Sequence, residues 1–276
     1  MKKLGLLTIC LLLINSMAFA QAKPAKHGKS GIKPLNYTVC DSSAPVVYIN
    51  GAGFRDFIDI FGDNYVQVNL KAGHSYAAEA WDPTDQFFND NPGGLPLYVL
   101  LLHGDCTSDD STDVTGMDPD LSNGFSNRIS WIQASDSLEY IHVSSFDNHV
   151  SHNYFLRIVD TTLYNARWST VVGFSTHYGF LNTTESAISG TLTLTESGGT
   201  QHVVSFTIPA GGEVFEVVAG DGTGSPGLNL PPNLAGSASF VFVGAAGAIK
   251  PDGYFQAVQN GVFVIVPTAW SPKNNQ

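Results

Sequence analysis

The densest set of chemically capable side chains in the sequence is acidic. Asp105, Asp109, Asp110, Asp113, Asp118 and Asp120 fall within one stretch rich in Gly, Ser and Thr. Calcium takes about six to eight oxygens, and carboxylates with neighbouring hydroxyls and carbonyls supply them. Crowded carboxylates also repel one another at neutral pH, and a cation relieves that repulsion. The spacing departs from the EF-hand loop, whose glycine and terminal glutamate are missing at their offsets. Two readings stand: a calcium site of its own pattern, or a long solvated acidic loop. A second set, Asp147, His149 and His152, offers two imidazoles and a carboxylate, a donor set that suits a zinc-like ion. A His-x-x-His spacing does not put both rings on one face of a strand, so a loop has to arrange them. The alternative is again a solvated loop.

Motifs for covalent or metal-assisted hydrolysis are absent. A serine nucleophile on a sharp elbow calls for Gly-x-Ser-x-Gly. The nearest stretch is Gly224-Ser225-Pro226-Gly227, which its proline makes a turn. Neither His-Glu-x-x-His nor paired Cys-x-x-Cys occurs. The carboxyl pair of a glycoside hydrolase can lie far apart in sequence, and nothing here nominates two residues for it. Trp81, Phe87, Phe88 and Trp131 could form a platform for sugar rings, although aromatic residues of β-sandwiches usually build the core. The reading is a non-enzymatic binding or structural module. A calcium-dependent carbohydrate-binding protein is the first alternative and a secreted hydrolase the second.

The compartment follows from the N-terminal pattern. Lys2-Lys3, the apolar run Leu4–Ile14 and Ala18-Phe19-Ala20 form the three parts of a secretory signal, with cleavage expected after Ala20. The run is shorter than the roughly 20 residues that span a bilayer. The expectation is a secreted protein, periplasmic or extracellular, that is not integral to the membrane after cleavage. Loss of Lys2 and Lys3 takes the net charge from −11 to −13. So acidic a chain repels nucleic acid, which excludes it as a partner, and leaves an extracellular protein or carbohydrate. Cys10 leaves with the signal. Cys40 and Cys106 remain, and in an oxidising compartment they most simply pair.

Positioning these groups falls to strands. Residues 21–35 form a flexible basic leader with Lys23, Lys26, Lys29 and Lys33 among Pro, Gly and Ser. Beyond it, Val46–Ile49, Phe54–Phe61, Tyr65–Leu70, Ser75–Trp81, Leu97–Leu102, Asn127–Ile132, Leu138–Val143 and Asn153–Val159 read as strands. Val66, Val68 and Leu70 share one face. Further on, Ile188–Thr195 and His202–Ile208 flank the hairpin turn Ser197-Gly198-Gly199-Thr200. Ser237–Val243 and Gly261–Val266 are nearly all apolar, which predicts central strands. No sustained helical stripe is present. The fold class is all-β, with two consecutive antiparallel β-sandwiches in residues 36–162 and 163–276, joined without a flexible linker.

The segment from Tyr65 to Tyr76, with Lys71-Ala72-Gly73-His74-Ser75-Tyr76 closing it, resembles the opening of bacterial pre-peptidase C-terminal domains. Tyr154-Phe155-Leu156-Arg157-Ile158-Val159 resembles their closing strand. The resemblance implies a jelly-roll-like first sandwich and, in the segment that follows, an Ig-like tail. The tail motifs are Trp168-Ser169-Thr170, Leu181-Asn182-Thr183-Thr184, Ile208-Pro209-Ala210-Gly211, Gly236-Ser237-Ala238-Ser239-Phe240 and Gly247-Ala248-Ile249. Where relatives carry His-Asp-Gly-Pro-Pro, this chain has Val243-Gly244-Ala245-Ala246, so any role of that polar stretch is not carried over. The family implies attachment to secreted proteins and surface binding of carbohydrate or protein.

Overall fold

The computed structural model describes residues 39–58, 62–81, 97–102, 104–106, 128–145, 152–171, 174–219, 227–259 and 262–272. They form strands and turns with no helix among them. The first group of strands is β1 (Phe54–Ile58), β2 (Asp63–Leu70), β3 (Ser75–Trp81), β4 (Leu97–Leu102), β5 (Arg128–Ile132), β6 (Ser137–Ser145) and β7 (His152–Asp160). They build a four-stranded sheet, β1-β7-β3-β5, and a three-stranded sheet, β2-β6-β4. Every pairing is antiparallel. Alternation decides which faces meet. Val66, Val68, Leu70, Ile141 and Val143 from one sheet enclose a core with Tyr76, Ile129, Trp131, Tyr154, Leu156 and Ile158 from the other.

The second group is β8 (Leu163–Ser169), β9 (Phe174–Asn182), β10 (Ile188–Glu196), β11 (Gln201–Ile208), β12 (Glu213–Ala219), β13 (Gly227–Leu230), β14 (Ala235–Phe242), β15 (Ile249–Gln259), β16 (Val262–Pro267) and β17 (Trp270–Pro272). These form two five-stranded sheets, β11-β10-β14-β8-β17 and β13-β12-β9-β15-β16. Only the β12–β13 pair among them is parallel. Their core is aromatic. Phe180 stacks on Phe240 with ring centroids 4.2 Å apart, Phe206 stacks on Phe240 at 5.5 Å, and Trp270 stands edge-on to Tyr178 at 4.8 Å. Strand β17 closes its sheet against β8, the first strand of the group. Asn165 Nδ2 donates to Thr268 Oγ1 at 2.8 Å beside this ladder, and Trp270 Nε1 donates to the Asp252 carbonyl at 3.0 Å.

The Ser197–Thr200 turn closes the β10–β11 hairpin as its residues predict. Gly199 takes φ +91°, and the Glu196 and Gly199 amides donate to the Thr200 and Glu196 carbonyls. Two expectations are corrected. Val46–Ile49 is no ladder strand: it contributes a single parallel bridge, Val46 to Gln67, because the Val47 and Gln67 amides exchange hydrogen bonds with the Gln67 and Pro45 carbonyls. Gly261–Val266 is not central: as β16 it lies at the end of its sheet. Trp131 is 1% exposed and belongs to the core, as aromatic residues of β-sandwiches usually do, so it offers no platform to a sugar.

Candidate functional site

Among the described residues, acid, imidazole and hydroxyl groups meet where β7 hands over to β8. Only Thr161 and Thr162 intervene, both buried. Burial obliges their polar groups to find partners inside the protein. Thr161 donates its amide to the Ser75 carbonyl at 2.8 Å and its hydroxyl to Ser75 Oγ at 2.9 Å. The Ser75 amide donates to Thr162 Oγ1 at 2.9 Å, and the Thr162 amide donates to Asp160 Oδ1 at 3.0 Å. The Asp160 amide donates to the Asn50 side-chain oxygen at 3.0 Å.

His74 completes this junction from the β2–β3 turn. Its Nδ1 lies 2.8 Å from Asp160 Oδ2, and its Nε2 lies 3.2 Å from the Tyr164 hydroxyl on β8. With the carboxylate as acceptor, Nδ1 carries the proton and Nε2 accepts from Tyr164. The connectivity is that of an acid–imidazole–hydroxyl relay. The hydroxyl, however, is a phenol that burial and the nearby Asp160 charge push up to about 12. It keeps its proton at neutral pH and serves as a fixed donor, not a nucleophile. Tyr76, on β3 beside His74, is likewise pushed up to about 12 by burial, with its oxygen accepting the Lys71 amide at 3.0 Å.

Other charged groups are matched across strands. Glu79 stands opposite both Arg128 and Arg157 in the β5-β3-β7 ladders and takes one on each oxygen, at 3.1 and 2.6 Å. His142 Nε2 lies 2.8 Å from Asp63 Oδ1, with Tyr65 stacked on its ring at 4.6 Å. His202 Nε2 lies 2.6 Å from Glu196 Oε1, beside Trp168. A shallow cleft of about 410 Å³ opens here, lined by Arg167, Trp168, Glu196, Ser197, Gly236 and Ser237 among others. A register shift between Gly236 and Ala238 shapes it. The shift sets two residues, Ala166 and Arg167, in β8 against Ser237 alone in β14.

The cysteines pair as expected. Cys40 and Cys106 form a disulfide with Cα atoms 5.9 Å apart, bridging a separation of 66 residues. It packs with Ala44, Leu102, Tyr140 and Tyr65 in a small cluster of its own. The disulfide therefore pins the first residues of the acidic stretch to the sandwich. Asp105 is exposed next to Cys106. Asp109, Asp110, Asp113, Asp118 and Asp120 lie outside the described residues. So do Asp147 and His149, while His152 opens β7 in register with Ile58 of β1. Phe87 and Phe88 also lie outside them. Among the described residues no three His, Cys, Asp or Glu side chains are grouped to hold a metal ion, and no helix is long and apolar enough to cross a membrane.

Sequence reasoning missed the junction residues. His74 and Asp160 are 86 positions apart, and no local motif joins them. It gave Asn182 no role beyond its place in the tail motif Leu181-Asn182-Thr183-Thr184. That side chain is fully buried: its nitrogen donates to the carbonyls of Ser186, Pro209 and Ile208 at 2.7 to 3.2 Å, and its oxygen accepts from the Thr184 amide and hydroxyl. No protein family model matches the chain, and no curated protein matches it either.

Proposed function

We propose that this is a non-enzymatic, exported binding or structural module in which two β-sandwiches are held at a fixed junction. The observation that carries the reading is the use made of Asp160, His74 and Tyr164. Their polar atoms are taken up in joining β7, the β2–β3 turn and β8, and the phenol that would have to react is held protonated. The Cys40–Cys106 disulfide supports an oxidising compartment, because cytosolic thiols are kept reduced. Such a module displays its loops on a scaffold that does not flex between sandwiches, which lowers the entropy lost on binding an extracellular protein or carbohydrate.

The test is expression of the full sequence in a bacterial host, followed by fractionation and intact-mass measurement. The expected product lacks residues 1–20, carries no free thiol and is found in the exported fraction. It is inert toward ester, glycoside and peptide substrates. An unprocessed cytoplasmic chain with all three thiols free, Cys10 included, would sink the exported reading. Hydrolysis that disappears in His74→Ala, with the fold retained by circular dichroism, would sink the non-enzymatic one.

A further inference from the structure

Among the described residues, strand β16, Val262–Pro267, ends its sheet and is paired with β15 alone. An edge strand presents a row of backbone donors and acceptors, and natural proteins blunt such edges with charge, proline, bulges or shortness. Several other edges here are blunted in that way. β1 carries Arg55 and Asp56, β5 carries Arg128, and β13 and β17 are four and three residues long. β16 has a six-residue ladder with regular register, and its proline comes last.

Its described side chains are apolar and exposed on both faces. Val264 stands opposite the buried Ala257, on the core side, and is 36% exposed. On the same side Val262 and Val266 are 62% and 45% exposed, and Ile265 on the opposite face is 63% exposed. From Gly253 to Pro272 the sequence contains no Asp, Glu, Lys or Arg.

We infer that the free edge of β16 is where two copies of this chain join, β16 against β16, antiparallel across a twofold axis. Charge selects the occupant. The chain carries a net charge of −11, so two copies repel wherever their carboxylates meet. The charge-free stretch from Gly253 to Pro272 lets them approach without that cost, and a basic or acidic partner gains nothing there. Geometry agrees. A strand in antiparallel pairing with itself is isologous, and the two-residue side-chain period keeps faces matched when the axis passes through a residue. With the axis at Val264, Val262 stands opposite Val266 and position 263 opposite Ile265. The core-side valines of one copy then meet those of the other, and Pro267 falls beyond the paired residues. The two five-stranded sheets become one continuous sheet.

Sedimentation of the exported protein over a range of concentrations tests this, alongside Ile265→Lys, Val262→Lys and Val203→Lys. All three positions are exposed, and Val203 lies on a different edge, β11. The expected result is a reversible dimer that Ile265→Lys and Val262→Lys weaken by about tenfold or more and Val203→Lys leaves alone. Val264→Cys is expected to form an intermolecular disulfide on mild oxidation. A chain that stays monomeric throughout overturns the inference. A dimer indifferent to Ile265→Lys and Val262→Lys overturns it too, as does a monomer that instead pairs with an added apolar strand peptide.

Discussion

Gly190 lies beneath the ring of Phe240, so close that a Cβ at Gly190 would collide with the ring carbons. The ring cannot swing away, because Phe180 and Phe206 stack against it at 4.2 and 5.5 Å. Gly190→Ala is therefore expected to cost about 2–3 kcal/mol through overpacking. The melting temperature should fall by roughly 5–10 °C, at about 2–4 °C per kcal/mol for a chain of this size. Gly198→Ala, where a Cβ meets nothing within 4 Å, is the control and should leave the melt unchanged.

The disulfide closes a loop with a sequence separation of 66 residues. Loop-closure entropy assigns such a bridge about 4 kcal/mol. Calorimetry with and without reductant, or of the Cys40→Ser, Cys106→Ser double variant, should show the transition of the first sandwich moving down. Because the bond packs only with residues of that sandwich, the aromatic second sandwich should melt as before. A drop shared equally by both would mean that the two unfold as a single unit.

Removing the Asp160 carboxylate strips the His74 ring and the Thr162 amide of their acceptor in a buried place. Asp160→Ala is expected to cost about 3 kcal/mol, and Tyr164→Phe, which removes the hydroxyl bonded to His74 and Thr162, about 1–2 kcal/mol. Combined with His74→Ala, the Tyr164→Phe effect should shrink, since both remove the same bond. Strict additivity in that cycle would count against a shared junction.

Alkali should unfold the chain. Burial raises Tyr76 and Tyr164 to about 12, and raises Tyr154 and Tyr178 further. Unfolded tyrosines ionise near 10, so above that pH the unfolded chain releases protons that the folded chain still holds. The stabilisation is complete below pH 10, falls away from there as pH rises toward 12 for Tyr76 and Tyr164, and goes on falling beyond it for Tyr154 and Tyr178. Far-ultraviolet circular dichroism should collapse in that window together with a late rise of phenolate absorbance. A smooth titration of all ten tyrosines near pH 10, with structure intact, would contradict this assignment.

Local pattern made much of this fold legible. Val66, Val68 and Leu70 alternate with less apolar neighbours, and the period of two puts them on a core face, where they are buried. The β10–β11 hairpin was readable from two glycines between alternating strands. β9 was less so, because Ser175, His177 and Gly179 interrupt its apolar residues, yet the aromatic core draws Tyr178 and Phe180 inward. β16 was misplaced for a physical reason. A continuous apolar run marks a strand covered on both faces, and apolarity cannot say whether this chain or another supplies the cover.

The junction was illegible for a different reason. His74, Asp160 and Tyr164 are single polar residues near strand ends, and each alone reads as a solvated turn. Only pairing β3 with β7, register Tyr76 to Asp160, brings them within reach. The cysteines were the opposite case, since two thiols in an oxidising compartment leave one simple pairing.

The closure of β17 onto β8 has a consequence for synthesis. Asn165 leaves the ribosome early in its sandwich, and its partner Thr268 follows 103 residues later. At a translation rate of about 5–20 residues per second, β8 waits roughly 5–20 s with one side of its ladder empty. Throughout that interval Tyr178 and Phe180 lack the indole of Trp270 that covers them in the finished protein. A chain cut short before Thr268 should thus hold a second sandwich that protease cuts readily, while the seven strands ahead of it stay closed.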